Sequence, residues 1–440
     1  MREHPLKHIV QLQKQGKAVG IYSACTANAL VLRACMQRAK ETNSVLLIEA
    51  TANQVDQYGG YTGMKPKDFM AFVEDLAKQE DLPMDRIILG GDHLGPLTFT
   101  QYEEDKAMQE ASELIRQFVL AGFTKIHIDT SMKVASDNPD ERLSDETIAR
   151  RGAQLAIVAE EAYQELFKTH PDALHPVYIV GSEVPIPGGS QEAVETGLQV
   201  TKVEDFKKTV ATFEKAFHDH NLDEAWKQVI GVVVQPGVEE KDAGCTPYDR
   251  SKATALMASI KEYNNLVFEG HSTDYQTKIS LRELIEDGVG ILKVGPGLTY
   301  MMREALFSLA YAEKEMLKDH PEKQSHFIEV LDEAMVKNPK YFIKHYHGSE
   351  EEIAYKRKFS FSDRSRYYMP VKEVVEAQKI LFENFKDGVP LGLLSQFMPI
   401  AYTKVREGKL HNDPVSLVKD RVIYTVDEYI YGSHQEEIKF

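Results

Sequence analysis

Two histidines stand at the ends of short apolar segments, beside groups that could bind a metal ion or move a proton. Asp92 and His93 follow two glycines in GGDHLGP, and His271 lies in EGHSTDYQ. An imidazole can bind a divalent metal while a neighbouring carboxylate transfers a proton. An isolated Asp-His pair is more often a buried histidine that is hydrogen-bonded to the aspartate. A second histidine in an equivalent position shifts the balance towards an open metal site.

Other apolar segments also end in polar residues. Glu183 follows VYIVGS, Gln235 ends VVVQ, and His127 and Asp129 lie in KIHIDTSM. Glu183 alone fits a salt bridge as well as a metal site, and Gln235 alone fits an amide that caps loop backbone better than a ligand. His127 and Asp129 are two residues apart, so they share one face of a strand. If that face is interior, both side chains reach the site, and Asp129 is the better candidate because it is nearer the end.

Eight short segments rich in Val and Ile position these residues. They are Ala18–Cys25, Ser44–Thr51, Arg86–His93, Lys125–Ser131, Val177–Val184, Gln228–Gln235, Leu266–Ser272 and Val289–Pro296. Each is too apolar to face water on either side, which is typical of parallel strands covered on both faces. The stretches between them are long enough for helices. The pattern predicts an α/β fold, a (β/α)₈ TIM barrel, whose active site lies at the C-terminal ends of the strands.

The chain is longer than one barrel requires. It has 440 residues, whereas a minimal barrel needs about 250. We therefore predict a catalytic-type barrel over residues 1–317 and a helical extension packed on it over residues 318–440. Helical patterns cover His326–Val336, Val371–Phe385 and Leu391–Val405, and strand-like alternation occurs at Asp420–Tyr431. No low-complexity linker separates the extension from the barrel.

An unusual cluster of arginines and tyrosines lies within the predicted extension. The segment SFSDRSRYYMP over Ser360–Pro370 contains Arg364, Arg366, Tyr367 and Tyr368. It could contact the open end of the barrel or a neighbouring subunit, but packing at the surface is the expectation.

Composition and charge exclude several classes of function. The net charge of −16 at pH 7 argues against nucleic acid as a partner, because neutralising phosphates requires a basic face. Three cysteines without a CxxC motif exclude a disulfide framework and fit a reducing cytoplasm. No apolar run approaches a membrane span, and the first residues lack the apolar core of a signal peptide. We expect a cytoplasmic protein without membrane or nucleic-acid partners.

Several segments could hold a phosphate group on backbone N–H groups, as TIM barrels commonly do at the ends of their last strands. The candidates are Gly60, Ser272, Thr273, Asp274, Lys293 and Gly295. Lys293 could also supply a cation, whereas the glycines could equally be turn residues. Neither G-x-x-x-x-G-K-[ST] nor G-x-G-x-x-G after a strand occurs, so the sequence gives no support to a nucleotide-dependent kinase.

Taken together, the motifs resemble a known family over essentially the whole chain. The matching blocks are IEATANQVDQYGGYTGM, GGDHLGP, KIHIDTSM, GSEVPIPGG, VVVQPGVE, EGHSTDYQT, LKVGPGLT and SDRSRYY. They resemble the Z-subunit family of class II D-tagatose-1,6-bisphosphate aldolase. The resemblance implies a TIM barrel that acts in tagatose metabolism. Members are named either non-catalytic subunits or fructose-6-phosphate/tagatose-6-phosphate 4-epimerases.

More distantly, the strand ends resemble those of catalytic class II aldolases, which hold one divalent metal. That resemblance implies that Asp92 carries a proton and that His93 and His271 are the first and last metal ligands. Glu183 falls where an acidic residue lies near the site, as a catalytic group or a further ligand. Gln235 stands in place of the middle histidine, and its neutral amide would bind the metal more weakly. The metal could be Zn, Mn, Mg, Co or Ni.

Two functions follow from the residues and the resemblance. The first is metal-dependent C4 epimerisation of tagatose 6-phosphate and fructose 6-phosphate by retro-aldol and aldol steps, with Asp92 accepting the C4 hydroxyl proton and Asp129 serving the opposite face. The second is a non-catalytic, stabilising subunit that binds a catalytic class II aldolase chain. Gln235 and the extension, a ready docking surface, motivate the second. In either case we expect a homo-oligomer.

Overall fold

The computed structural model describes residues 3–181 and 198–439 of the chain. Within them, eight parallel strands form a closed barrel, and each overlaps one of the eight predicted segments. The barrel strands are β1 (Ile21–Ala24), β2 (Leu46–Thr51), β3 (Ile87–Leu94), β4 (Lys125–Ile128), β5 (Val177–Val180), β6 (Val229–Val234), β9 (Val267–Gly270) and β10 (Val289–Val294). They pair in chain order, and β10 closes on β1. The predicted TIM barrel is confirmed.

Two further strands form a small antiparallel hairpin after β6. They are β7 (Glu239–Lys241) and β8 (Gly244–Thr246), with Glu240 opposite Cys245. The hairpin follows the C-terminal end of a barrel strand, so it stands beside the open end of the barrel, which we call the mouth.

Helices surround the barrel and build the extension. Those from the N-terminus to the end of the barrel are α1 (Pro5–Lys14), α2 (Ala29–Glu41), α3 (Pro66–Glu80), α4 (Glu104–Leu120), α5 (Asp145–Thr169), α6 (Val203–Asp219), α7 (Asp223–Trp226), α8 (Arg250–Ser259), α9 (Lys278–Asp287) and α10 (Pro296–Met316). Those of the extension are α11 (Phe327–Lys337), α12 (Glu350–Phe359), α13 (Lys372–Asn384), α14 (Leu391–Phe397), α15 (Pro399–Arg406) and α16 (Pro414–Ser433). None of the helices in the described ranges has the length and apolar character needed to cross a membrane.

The barrel interior changes from apolar to charged along the strands. Residues two apart share the interior face, so Leu47 precedes Glu49 on β2 and Ile291 precedes Lys293 on β10. At the N-terminal end, α1 closes the barrel with buried Leu6, Ile9 and Val10, which belong to the same apolar cluster as Ile21, Leu47 and Ile291. The strands therefore deliver polar side chains only to the half that faces the mouth.

The extension does not end in a strand. The prediction of strand-like structure at Asp420–Tyr431 is wrong, because these residues lie in α16. The buried residues of α16 recur at helical spacing, and they include Leu417, Val418, Val422, Val426, Tyr429 and Ile430. This helix packs against α2, α9 and α10. Separately, the predicted helix over Leu391–Val405 is divided into α14 and α15 at Met398, directly before Pro399.

Candidate functional site

A buried network of charges lies beneath the mouth. The Lys125 ammonium is 2.8 Å from both carboxylate oxygens of Glu49 and 2.7 Å from Glu269 Oε2. The Lys293 ammonium is 2.7 Å from Glu49 Oε2 and 2.8 Å from Asp92 Oδ1. Buried charges are tolerated when they are paired in this way. The network therefore connects β2, β4, β9 and β10 to the carboxylate of Asp92.

The network keeps Asp92 ionised. Burial alone would raise the pKa of this carboxyl, but Lys293 and His93 hold it well below its usual value. Burial likewise opposes the charge of Lys293, yet Asp92 and the other nearby acids keep its pKa well above the ordinary range. Asp92 is thus an ionised carboxylate, which is the state that a general base requires.

An irregular strand end turns Asp92 and His93 to the same side. The pairing of β3 with β4 shifts between Gly91 and Leu94, so that β3 carries one extra residue. Within this bulge His93 has a φ of 52°, in the left-handed region. Adjacent residues of a regular strand point to opposite faces, whereas Asp92 and His93 both line the cavity in the mouth. Strained backbone of this kind is common at functional sites.

Three imidazoles meet at this point. The ring centroids of His93, His127 and His271 are 5.0 to 5.3 Å apart. His127 faces the barrel interior, where its Nδ1 lies 3.0 Å from Asp92 Oδ1 and its Nε2 lies 3.0 Å from the Gly181 carbonyl oxygen. The backbone nitrogen of His93 lies 3.2 Å from the same Nδ1. Because both nitrogens have protein partners, His127 positions Asp92 and the His93 backbone.

His93 and His271 are each oriented by a carboxylate. His93 Nδ1 is 2.9 Å from Asp129 Oδ2, and His271 Nε2 is 2.9 Å from Glu269 Oε1. Burial lowers the pKa of His93, but Asp92 and Asp129 outweigh it and raise the pKa to about 9. Burial lowers the pKa of His271 to about 4 despite Glu269. The surroundings of His93 therefore favour a positive charge, and those of His271 favour a neutral imidazole.

These residues fit a divalent metal ion. Two imidazoles whose rings lie 5.1 Å apart, each held by a carboxylate, form the carboxylate–histidine pairs that orient metal ligands. Nitrogen and carboxylate donors together suit several first-row divalent metals. Asp92, His127, Glu269 and His271 also bring donor atoms within 4.8 Å of one another. His93 belongs to a second such group, with His127 and Asp129. The residues that could hold an ion therefore include His93 and His271, and binding of one ion by both histidines stays a prediction.

The structure gives no support to metal binding by the other two predicted ligands, Gln235 and Glu183. Gln235 Oε1 accepts the backbone N–H groups of Gly237 and Val238 at 2.7 and 2.9 Å, so both lone pairs of this oxygen have partners. The structural role considered for Gln235 is therefore the one that these contacts favour, and its metal binding stays a prediction. Glu183 lies outside the described residues, so its role also stays a prediction.

A cavity of about 390 Å³ opens above these groups. Eight of the predicted site residues line it, namely Asp92, His93, Asp129, His271, Ser272, Asp274, Lys293 and Gly295. The extension contributes Arg366 and Tyr367, and the hairpin contributes Glu240. The expectation that the arginine–tyrosine cluster only packs at the surface is therefore wrong for these two residues, because the extension folds over the mouth.

The candidate phosphate-binding groups on the glycine loops already have partners. The N–H of Gly60 donates to Asp56 Oδ1 at 2.9 Å. The N–H of Gly295 donates to Asp274 Oδ1 at 2.9 Å, and the Thr273 hydroxyl donates to the Lys293 carbonyl oxygen at 2.6 Å. Their predicted contact with phosphate stays a prediction, but it would require these bonds to be replaced.

Gly95 allows β3 and β4 to approach each other at the site. A Cβ at this position would lie 1.7 Å from the carbonyl oxygen of Asp129. We expect Gly95→Ala to displace Asp129 from His93 and to destabilise the fold by at least about 1–3 kcal/mol. Urea unfolding measures the loss of stability, and metal titration measures the effect of displacing Asp129 from His93. Gly392→Ala is the control, since a Cβ there meets no atom within 4 Å, and equal behaviour of the two variants would contradict the prediction.

Glu240 should make stability depend on pH. Burial and the nearby Asp274 carboxylate raise the pKa of Glu240 to about 7. The folded state therefore binds this proton more tightly than the unfolded chain, and wild-type stability falls as pH rises from about 4.5 to about 7. We expect Glu240→Gln to be more stable than wild type by roughly 2–3 kcal/mol at about pH 8 and to lose that advantage at about pH 4.5. Thermal unfolding of wild type and Glu240→Gln across this pH range tests the prediction, and Glu333→Gln, at an exposed position, is the control. A stability difference between wild type and Glu240→Gln that does not change with pH would contradict the prediction.

Several site residues were not predicted, although some carry a signal in the sequence. Glu49, Lys125 and Glu269 are charged residues within otherwise apolar strands. Lys125 lies two residues before His127, and Glu269 lies two residues before His271, so strand alternation alone could have placed them inside the barrel. Arg366 lies in the arginine–tyrosine cluster, for which contact with the open end of the barrel is an alternative to surface packing. Glu240 has no comparable local signal, since only the tertiary fold brings it to the mouth.

The chain matches the family described as D-tagatose-1,6-bisphosphate aldolase subunit GatZ/KbaZ-like over residues 6–434. The crystal structure of a probable tagatose 6 phosphate kinase from Sinorhizobium meliloti 1021 is 40% identical, covers 94% of this chain and 100% of its own, and has a TM-score of 0.84.

More distant similarity is found to two aldolases. The YdjI aldolase from Escherichia coli K12 is 11% identical over 82% of this chain and 94% of its own, with a TM-score of 0.39. The fructose-bisphosphate aldolase from Campylobacter jejuni is 14% identical over 86% of this chain and 93% of its own, with a TM-score of 0.40. Similarity at this level carries no argument about chemistry. By the match over residues 6–434, this chain belongs to the GatZ/KbaZ-like family of D-tagatose-1,6-bisphosphate aldolase subunits.

Proposed function

We propose that the chain is a metal-dependent ketohexose-phosphate 4-epimerase that interconverts tagatose 6-phosphate and fructose 6-phosphate. The observation that carries the proposal is a buried carboxylate, Asp92, paired with Lys293 beside two carboxylate-held histidines in one cavity. Grouped ionisable side chains that line one cavity and have strongly shifted pKa values are characteristic of functional sites. Membership of a tagatose-bisphosphate aldolase family supports the same class of substrate.

Each group at the site has a task in this proposal. A divalent metal on His93 and His271, with Glu183 as a further predicted ligand, would act as a Lewis acid on the ketose carbonyl. Asp92 accepts the C4 hydroxyl proton while the C3–C4 bond breaks, and C4 becomes an aldehyde as the bonding electrons pass to the C3 fragment. The aldehyde turns, its other face is attacked by C3, and a proton returns to the C4 oxygen, which inverts C4.

The inverted C4 oxygen needs a proton donor on the opposite face. Asp129, the predicted group, accepts hydrogen bonds from the backbone N–H and hydroxyl of Ser131 and contacts His93. These contacts favour a positioning role for Asp129. Glu240 lines the same cavity, and burial raises its pKa to about 7. One carboxyl held ionised and another held near neutrality is the pattern of a base and an acid, so we assign the second proton transfer to Glu240.

The experiment is to incubate the purified chain alone with fructose 6-phosphate and added Mn²⁺, Zn²⁺ or Mg²⁺, and to follow sugars and trioses by NMR. An EDTA-treated sample is the control. Metal-dependent formation of tagatose 6-phosphate would support the epimerase. Absence of turnover with every metal, on this substrate and on tagatose 1,6-bisphosphate, would overturn it.

A second candidate is a stabilising subunit of a catalytic class II aldolase. The engagement of Gln235 Oε1 by loop backbone favours it, because this removes one predicted metal ligand, and the family is described as an aldolase subunit. It predicts that His93→Ala still stabilises the catalytic chain on mixing.

Light scattering of the chain alone tests the expected homo-oligomer. Kinase activity, which the name of the Sinorhizobium meliloti protein suggests, has no support here, since the sequence contains no phosphate-binding loop of the nucleotide type.

A further inference from the structure

We infer that the phosphate of the substrate is bound by Arg366 of the C-terminal extension, and not by the N-terminus of the helix that follows the last barrel strand. The inference rests on the proposed function, because it names the group that would recognise a phosphorylated sugar. It also assigns a binding role to the extension, whose contact with the mouth is made by Arg366 and Tyr367.

The usual phosphate position of a TIM barrel is filled by an acidic side chain. Asp274 Oδ1 accepts the backbone N–H groups of Gly295 and Gly297 at 2.9 and 2.7 Å, at the start of α10. These are the donors that a phosphate would otherwise use at a helix N-terminus. Asp274 is buried and fixed there, so an anion at this position would meet a carboxylate instead of free N–H groups.

Lys293, the other predicted cation, has its charge matched within the barrel. It lies against Glu49 and Asp92 at 2.7 and 2.8 Å. Moving it to a phosphate would leave two buried carboxylates less well neutralised, which is costly.

Arg366 is differently placed. It lines the main cavity and also an adjoining cavity of about 250 Å³. Its Nη1 donates to the carbonyl oxygens of Ser362 and Asp363 at 2.5 and 2.9 Å, and its Nη2 donates to the Tyr367 hydroxyl at 3.2 Å. In residues 3–181 and 198–439, no carboxylate oxygen lies within 4.0 Å of its guanidinium nitrogens.

Neutral oxygen atoms therefore accept the hydrogen bonds of Arg366, whereas the carboxylates of Asp363, Glu240 and Asp274 act on its charge only from farther away. Three hydrogen bonds use three of the five guanidinium N–H groups, which leaves two for a ligand. The Tyr367 ring centroid lies 4.5 Å from the guanidinium carbon and packs on it. A guanidinium fixed in this way on a cavity wall, with no carboxylate in direct contact among the described residues, is suited to bind a phosphate through paired hydrogen bonds.

The segment that carries Arg366 is attached to the barrel side of the site. Asp363 accepts the hydroxyl of Thr299 on α10 at 2.6 Å, and Ser360 donates to Asp242 of the hairpin loop at 2.8 Å. Phe361 N–H also donates to the Asp242 carbonyl oxygen. These bonds attach the segment to α10 and to the hairpin, beside the cavity that Asp92 and His93 also line. Recognition of one end of a sugar phosphate requires such fixed positioning.

The test is isothermal titration of the full-length protein with fructose 6-phosphate and with fructose. The variants are Arg366→Gln and Arg366→Lys, and the control is Arg364→Gln, which removes the same charge two residues away. Arg364 lines neither cavity and donates to His345 Nδ1. We expect Arg366→Gln to weaken the binding of fructose 6-phosphate about 10- to 100-fold, because a charge-assisted hydrogen bond to the phosphate is lost. The affinity of Arg366→Lys for fructose 6-phosphate should lie between those of wild type and Arg366→Gln, since lysine keeps the charge but lacks the planar guanidinium.

Fructose affinity should be the same in all four proteins, because fructose has no phosphate. Equal affinity of wild type and Arg366→Gln for fructose 6-phosphate would overturn the inference. An equal loss in Arg364→Gln, or a parallel loss of fructose binding, would also overturn it. If Arg366→Gln does not fold, protection of wild-type Arg366 from phenylglyoxal by fructose 6-phosphate replaces the titration, and equal modification with and without the sugar phosphate would overturn the inference.

Turnover measured on the same proteins separates this inference from the proposed function. If wild type binds fructose 6-phosphate through Arg366 but does not epimerise it, the epimerase proposal fails and the Arg366 inference stands. If wild type epimerises it and Arg366→Gln keeps the same KM, the epimerase proposal stands and the Arg366 inference fails.

Discussion

Asp92→Asn is expected to reduce kcat for fructose 6-phosphate about 10²- to 10⁴-fold, which is the usual contribution of a general base. An asparagine fills the same volume but cannot accept the C4 hydroxyl proton. Lys293 keeps its contact with Glu49 at 2.7 Å, and His93 and His271 keep their own carboxylates, so fold and metal content should change little.

The measurement is the rate of tagatose 6-phosphate formation by NMR, together with metal analysis of the purified variant. Asp85→Asn is the matched control, because Asp85 is exposed in the turn before the same strand. Full turnover by Asp92→Asn would remove Asp92 from the proposed chemistry. Loss of both metal and turnover would instead assign Asp92 to the metal site.

Lys125→Met is expected to lower the free energy of unfolding by about 3–5 kcal/mol, the typical cost of removing one partner from a buried ion pair. The side chains of Lys125, Glu49 and Glu269 are fully buried. Methionine has a similar length but no charge, so the three carboxylates of Glu49, Glu269 and Asp92 would share the single remaining ammonium of Lys293. The loss should also disturb Asp92, which Lys293 holds in its ionised state.

Urea unfolding of wild type and variant measures the difference. Lys40→Met is the control, because the pair of Lys40 with Asp81 is exposed and should contribute within about 1 kcal/mol. A loss of less than about 1 kcal/mol in Lys125→Met would mean that the carboxylates become protonated or hydrated at little cost, contrary to the expected requirement for pairing.

Local pattern was sufficient for the barrel and for the strand ends. Each of the eight apolar segments corresponds to one strand. A parallel strand that is covered on both faces needs apolar residues at nearly every position, so it can be recognised as a short apolar run. Asp92, His93 and His271 converge because parallel strands in a barrel end on one side. Local pattern failed at α16, where burial against three other helices adds apolar residues around the helix and obscures its period. The many Val, Ile and Tyr residues of α16 then resemble a strand.

The sequence by itself determined the fold class, the family and the residue types at the mouth, since these depend on short-range periodicity and on motifs that lie within single segments. Only the tertiary structure decided which polar atoms are available to a ligand. Gln235 and Asp274 carry the right atoms for a site, yet their oxygens accept backbone N–H groups. Arg366 reaches the mouth from a segment more than sixty residues beyond the last strand. Hydrogen bonds form between atoms that are close in space, and the distance between residues far apart in the chain cannot be read from one sequence.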